Sequence, residues 1–393
     1  MIRSARSDQA VSGAASLRAL VVSPLPPPPG GIATWTRILL AEIAMRPEVA
    51  LSHLDTAVRW RPVTQVAAPV RLIGGSFQAL RDVVRFRRTL AAVQPEIVHL
   101  CTSAGFALRR DLIMLRAARR AGARSVIHYR MGRIPTLAHN GNREWAALQA
   151  CTREAAVSIV LDRLSQERLA LACAGSDIRI LPNMVEIGAI DAAIQGVARS
   201  NADVRIAYIG HVLEAKGVTD LLEACLRAGA PADLDIVGPY EEGYRRRLEA
   251  FAESGAASRG AVRLQFHGTL SHEAALRVAA RADVFALPSH SEGFPNVVAE
   301  AMACGLPVLG TRVGAIPDMI EPQEDAPAGL CAAPRDVDGL AAAMARLATD
   351  RALRDRLGKA GRRRACKDYA APAVTSRLID LWREITAHQA DQA

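Results

Sequence analysis

The sequence predicts an α/β protein made of two doubly wound, Rossmann-like parallel sheets. Three observations carry that expectation. Short apolar, β-branched runs alternate with amphipathic helical stretches from Leu17 to the C-terminus, which is the pattern of βαβ units rather than of hairpins or helix bundles. The runs fall into two sets, separated near Leu181-Pro182-Asn183. A chain of 393 residues is long enough for two domains that each bury a core.

Residues 1–16 are small and polar, lack the apolar stretch of a secretory signal, and read as a disordered tail. A first domain is predicted over 17–183, with strands at Arg18–Val22, Val70–Ile73, Ile97–Cys101, Ser125–Tyr129, Val157–Leu161 and Ile178–Leu181. Its first helix, Ala33–Ala44, follows a Pro-rich turn ending in Gly30-Gly31. Two adjacent glycines at a helix start let a phosphate or sugar approach the backbone closely. The Pro-Asn pair closes this domain, and 184–203 reads as a linker. A second domain is predicted over 204–366, with strands at Val204–Ile209, Leu234–Val237, Val262–His267, Val284–Leu287, Pro307–Gly310 and Gly329–Cys331. Its helices include Val218–Ala228, Tyr240–Glu253, Glu273–Ala280 and Arg351–Cys366, and a last helix, Pro372–Ala387, lies in the segment 367–393. In such folds ligands bind beyond the carboxyl ends of the strands.

Charge separates the halves. Residues 1–183 hold 25 arginines and no lysine against 12 acidic residues, whereas the remainder holds 24 cations against 28 acids. The first half therefore expects an anionic partner. Aromatic residues make up only 4% of the chain and no nucleic-acid motif is present, so base stacking finds no platform and nucleic acid is excluded. An anionic lipid surface and an acidic or diphosphate-bearing substrate remain. Two segments, Ser76–Val93 and Ala107–Arg124, combine arginines with an apolar face, as helices lying on an anionic bilayer do and as ordinary surface helices of an arginine-rich chain equally do. No run of eighteen apolar residues occurs, so no membrane span is predicted. The seven cysteines are scattered without a CxxC pair, which fits reduced thiols in a cytosol. No metal-ligand spacing appears.

The chemistry concentrates in two segments of the second half. The stretch Ser291–Ile320 carries Glu292 in a strand-to-helix loop and Glu300 inside the helix that begins at Pro295. The amides of Gly293, Phe294, Asn296 and Val297 border that helix start, where an anion or a sugar hydroxyl finds donors. The second segment, Gly210-His211-Val212-Leu213-Glu214-Ala215-Lys216-Gly217, joins a strand to a helix. Lys216 is one of three lysines in the chain, and a cation there would stabilise charge on a departing phosphate. In the first half, His128 lies at the end of a strand before Arg130-Met131-Gly132-Arg133, and His99 and Ser103 lie near another strand end.

Glu292, seven residues and then Glu300 running into EAMACGLPV resemble the retaining glycosyltransferases of family 4. The likeness extends from about Leu17 to the last helix and is densest in the second half. It implies the GT-B fold, with two domains facing a central cleft and the final helix returning to the first domain. It also implies transfer of a sugar from a nucleotide-diphosphate sugar to a hydroxyl acceptor, with retention and without a metal or other cofactor. By the same resemblance Glu300 holds the ribose hydroxyls, Glu292 with the neighbouring amides holds the transferred sugar, and His128 meets the donor sugar from the facing domain. Family members place Gly-Arg, four residues and Lys-Gly where this chain has Gly210-His211 and Lys216-Gly217. Lys216 is retained and His211 departs, which leaves Arg130 and Arg133 as candidates for the missing charge. The implied partners are the nucleotide-sugar donor and a sugar or lipid-linked hydroxyl acceptor; the basic first domain adds an anionic membrane surface as a candidate partner. The implied place is the cytoplasm, at the inner face of the cytoplasmic membrane, in polysaccharide or glycolipid synthesis. Two rivals stay open: a nucleotide-sugar-binding partner protein of the same fold without activity, and an epimerase or hydrolase of sugar nucleotides.

Overall fold

The computed structural model describes residues 16–28, 30–58, 68–199, 203–230, 232–259, 261–323 and 325–390; the tail expected over 1–16 lies outside them except for Ser16. Twelve strands among these residues form two six-stranded sheets in which every strand pairing is parallel. The first contains β1 (Leu17–Ser23), β2 (Val49–Asp55), β3 (Ile97–Thr102), β4 (Arg124–Tyr129), β5 (Val157–Val160) and β6 (Ile178–Ile180), in the order β2-β1-β3-β4-β5-β6. The second contains β7 (Val204–Ile209), β8 (Ala232–Val237), β9 (Val262–Gly268), β10 (Val284–Leu287), β11 (Val308–Thr311) and β12 (Gly329–Ala332), in the order β12-β11-β10-β7-β8-β9. The winding direction reverses between β1 and β3 in one sheet and between β7 and β10 in the other. Loops leaving neighbouring strands diverge at such a reversal, and the crevice between them is where doubly wound folds bind ligands.

One predicted strand is corrected. Val70–Ile73 lies inside the helix Ala68–Val93, and the second strand of the first sheet is Val49–Asp55. A four-residue apolar run cannot be told from a helix segment by its pattern alone. Val49–Asp55 sits at the sheet edge, paired with β1 on one side, and its burial is mostly partial. It therefore tolerates the Ser52-His53 pair that hid it. The stretch expected as a linker also contains a helix, Ile187–Ile194, which buries Ile190 and Ala193 in the core of the second domain.

Two hydrophobic clusters cover the faces of the first sheet, and one large cluster serves the second. The last helix, Ala371–Ala390, places Val374, Leu378, Trp382 and Ile385 in the same cluster as Trp35, Ile38 and Leu39 of the helix Gly31–Ala44. The chain therefore crosses between domains twice. The two crossings are stitched by paired backbone bonds, Val185 N–H to Tyr369 C=O at 2.8 Å and Ala371 N–H to Val185 C=O at 3.0 Å. Among the described residues no helix is long and apolar enough to cross a membrane.

Candidate functional site

The loop after β7 and the loop after β10 meet beside the reversal in the second sheet. After β7 the chain makes a single 3-10 turn, Glu214–Lys216, and enters the helix Val218–Ala228 through Gly217. Gly217 has φ +69°, and a Cβ there would sit 2.0 Å from the Pro288 carbonyl oxygen. Only glycine meets both the left-handed backbone and that close approach. The turn delivers the Lys216 ammonium to Glu292, with Nζ donating to Oε1 at 2.7 Å, and the Ser289 hydroxyl donates to the same oxygen at 2.7 Å. Ser289 is fully buried, whereas Glu292 and Lys216 keep 14% and 31% of their side chains exposed. The cluster is thus a half-sheltered cation and anion that can exchange partners when an anionic ligand arrives.

Glu300 projects from the helix Asn296–Ala303, and its Oε1 accepts a hydrogen bond from His272 Nε2 at 3.0 Å. That bond raises the His272 pKa above its ordinary value, with the negative charge of Glu300 adding to the effect. His272 opens the helix His272–Arg281 and lies 28 positions from Glu300. No local sequence signal linked the two. The Asn296 and Val297 amides belong to the first helical turn and have no intrahelical acceptor. The side chains of that turn face elsewhere. Phe294 is buried edge-on against Tyr369, and Asn296 Oδ1 accepts from Asn183 Nδ2 at 2.7 Å, tying the end of the first domain to the second.

The facing domain touches this loop directly. A Cβ on Gly132 would sit 1.8 Å from the Glu292 carbonyl oxygen and 2.5 Å from Gly293 Cα. The loop after β4 therefore lies on the backbone that carries Glu292, and any side chain at 132 would force the two apart. Gly30 is the extended residue before the helix Gly31–Ala44, and a Cβ on Gly30 or Gly31 would meet nothing within 4 Å. Among the described residues neither conformation nor packing requires these glycines.

His128 and Arg130 occupy the end of β4 and the residue beyond it. His128 is fully buried, as is His99 on the adjacent β3. Burial drives the pKa of both imidazoles down, His99 to about 3, with the Arg130 charge adding to the effect. His99 offers no free nitrogen to a ligand, because Trp382 and His128 engage both of them. The Arg130 guanidinium stacks over the Trp35 ring at 4.5 Å from its centre, and burial lowers its pKa to about 10. Arg133 is committed elsewhere, to an ion pair with Glu144 at 2.6 Å and the Ser103 carbonyl at 3.2 Å. His211 is exposed at the rim, with no side-chain partner among the described residues, and its carbonyl accepts the Tyr208 hydroxyl at 2.7 Å.

His99, Cys101 and His128 bring three potential metal ligands within 4.8 Å of one another. The donor set does not suit a cation. Both His99 nitrogens are occupied, burial pushes the Cys101 thiol up to about 12, and a guanidinium stands beside the cluster.

Residues 190–364 match the family model described as "Glycosyl transferases group 1". The chain is 33% identical over 199 residues to an MMP alpha-(1->4)-mannosyltransferase of Mycolicibacterium hassiacum, covering 49% of this chain and 44% of that protein. It is 36% identical over 131 residues to the sulfoquinovosyl transferase SQD2 of Arabidopsis thaliana, covering 31% of this chain and 26% of that protein. The chain thus spans less than half the length of the curated relatives it matches. Among solved structures, sucrose-phosphate synthase from Thermosynechococcus elongatus aligns with TM-score 0.71 at 20% identity, over 95% of this chain and all of that one. HepE of Anabaena, solved in complex with UDP-glucose, aligns with TM-score 0.64 at 18% identity, over 94% of this chain and all of that one. The fold is GT-B.

Proposed function

Because residues 190–364 match the model of the group 1 glycosyl transferases, we propose that the chain transfers a sugar, with retention, from a nucleotide-diphosphate sugar to a hydroxyl acceptor in glycoconjugate or polysaccharide synthesis. The observation that carries this reading is the Lys216–Glu292–Ser289 cluster, with Glu300 on the helix that follows, at the reversal of the second sheet. Lys216 would leave Glu292 for the diphosphate and stabilise the charge that builds there as the sugar departs. Glu292, released, would accept from sugar hydroxyls, and Glu300 would accept from both ribose hydroxyls. Transfer on one face of the sugar, with the leaving oxygen taking the acceptor proton, needs no nucleophile and no metal from the protein. Its contribution is positioning and electrostatics.

A nucleotide series tests the reading. One of UDP, GDP and ADP should raise the melting temperature above the others, since a ligand at about a hundred times its Kd adds about 2.7 kcal/mol. The matching donor should release nucleotide faster with acceptor than without. Release that ignores the acceptor would support hydrolysis, and binding without release would support a partner protein. If no nucleotide raises the melting temperature, donor binding itself is refuted.

The first domain also carries a surface suited to an anionic bilayer at the cytoplasmic membrane. Phe77, Leu80 and Val84 form one stripe of the helix Ala68–Val93 and are 72%, 64% and 41% exposed. Phe106 and Ile113 add 76% and 44% at the adjacent helix Ala107–Arg120. The helices are joined by an ion pair between Arg110 and Asp82 at 3.2 Å, and exposed Arg81, Arg88 and Arg109 flank the apolar residues. Apolar tips between arginines suit insertion at the headgroup level of acidic lipid. Flotation with vesicles containing phosphatidylglycerol should capture the chain in a salt-sensitive manner. The double change Phe77→Glu and Leu80→Glu should release it. Equal binding to neutral vesicles, or none to either, would defeat the membrane role.

A further inference from the structure

The buried row Trp382, His99, His128, Arg130 has a fixed donor order. Trp382 Nε1 stands 3.2 Å from His99 Nδ1, His99 Nε2 stands 3.3 Å from His128 Nδ1, and His128 Nε2 stands 3.4 Å from Arg130 Nη1. An indole N–H and a guanidinium only donate, and a neutral imidazole carries one N–H and one lone pair. Trp382 therefore places the His99 hydrogen on Nε2, and His99 in turn places the His128 hydrogen on Nε2. The last of the three gaps is then a donor facing a donor. It is also the longest, and it lies at the partly exposed end of the row, whereas Trp382, His99 and His128 are fully buried. Arg130 Nη2 is buried with no hydrogen-bond partner, and no carboxylate pairs with Arg130 among the described residues. A buried guanidinium without a counter-ion calls for an anion.

We propose that His128 Nε2 and the Arg130 guanidinium together receive one anionic oxygen of a substrate, phosphoryl or carboxylate, with Trp382 setting the tautomer that makes His128 a donor. The inference deepens the transferase reading and rests on it for the substrate. The anion comes either from an acidic acceptor or from the donor diphosphate. In the second case Arg130 is the cation that accompanies Lys216 where His211 stands outside. His128 then acts as a neutral donor, and Trp382 and His99 are positioning residues.

The test uses the full chain with nitrogen-15 histidine and inorganic phosphate as probe. Expected are His99 and His128 both protonated at Nε2, and a phosphate-dependent shift of the His128 Nε2 resonance. Arg130→Gln should weaken phosphate binding by about tenfold or more, since hydrogen bonds to charged groups carry that much. Trp382→Phe should move the His128 hydrogen to Nδ1, a change that mere loss of packing would not produce. A saturating nucleoside diphosphate that abolishes the phosphate response assigns the site to the donor. Additive responses assign it to the acceptor. His128 protonated at Nδ1 in the unaltered chain overturns the inference. So does a phosphate-insensitive His128 in a chain that a nucleoside diphosphate still stabilises. Loss of all nucleotide stabilisation would instead strike the transferase reading.

Discussion

Replacing Lys216 by alanine is expected to lower turnover about 10²- to 10³-fold, the usual cost of removing one preorganised charge partner from a transition state. The effect should fall on kcat more than on donor KM, because the diphosphate gains charge as the bond to the sugar breaks. Fold stability should change little. The Lys216–Glu292 pair retains solvent contact on both sides, and such pairs contribute about 0–1 kcal/mol. An unchanged melting temperature beside lost turnover would therefore separate catalysis from folding. Lys216→Arg should recover part of the rate, since the charge returns but the Gly217-supported turn now presents a wider group. Turnover within about threefold of the unaltered chain would remove Lys216 from the mechanism.

Replacing Glu300 by alanine is expected to weaken nucleotide binding about 10- to 150-fold, the range for hydrogen bonds made to a charged group. The wild-type affinity should also depend on pH. His272 has its pKa raised by Glu300, so the His272–Glu300 pair contributes stability that is fully present below the ordinary histidine value of about 6.5. That contribution is lost as pH rises through the raised pKa. A protonated His272 competes with ribose for the carboxylate, so nucleotide affinity should increase over the same rise in pH. His272→Gln should flatten the profile while leaving tight binding at the alkaline end. Calorimetric titration from pH 6 to pH 9 checks both statements. A pH profile that survives His272→Gln would place its origin elsewhere.

The site was legible in unequal parts. Glu292, Glu300, Lys216 and Gly217 sit in short segments whose residue order alone suggests a strand, a turn and a helix start, and those local patterns needed no partner to be read. Arg133 looked equivalent to Arg130 because both follow β4, yet Glu144 neutralises the one and, among the described residues, no carboxylate pairs with the other. His128 read as a strand-end residue; its surroundings are Trp35 and His99, and His99 is in turn held by Trp382 from the far end of the chain. The strand Val49–Asp55 escaped notice because an edge position does not demand an apolar run, and the apolar run at Val70–Ile73 belonged to a helix instead.

The sequence by itself determined the α/β class, the division into two sheets and the carboxylates and lysine of the second domain. Each of these is written in residues close together, where periodicity and turn chemistry act. Only the tertiary structure decided which cations have a carboxylate partner among the described residues, which carboxylates are already engaged and which imidazole nitrogens face one another. The physical reason is that charge compensation, burial and hydrogen-bond order depend on groups that approach across β3 and β4, across the two domains, and from a last helix whose Trp382 returns 283 residues later to lie beside His99. Chain position says nothing of such neighbours until the backbone has folded.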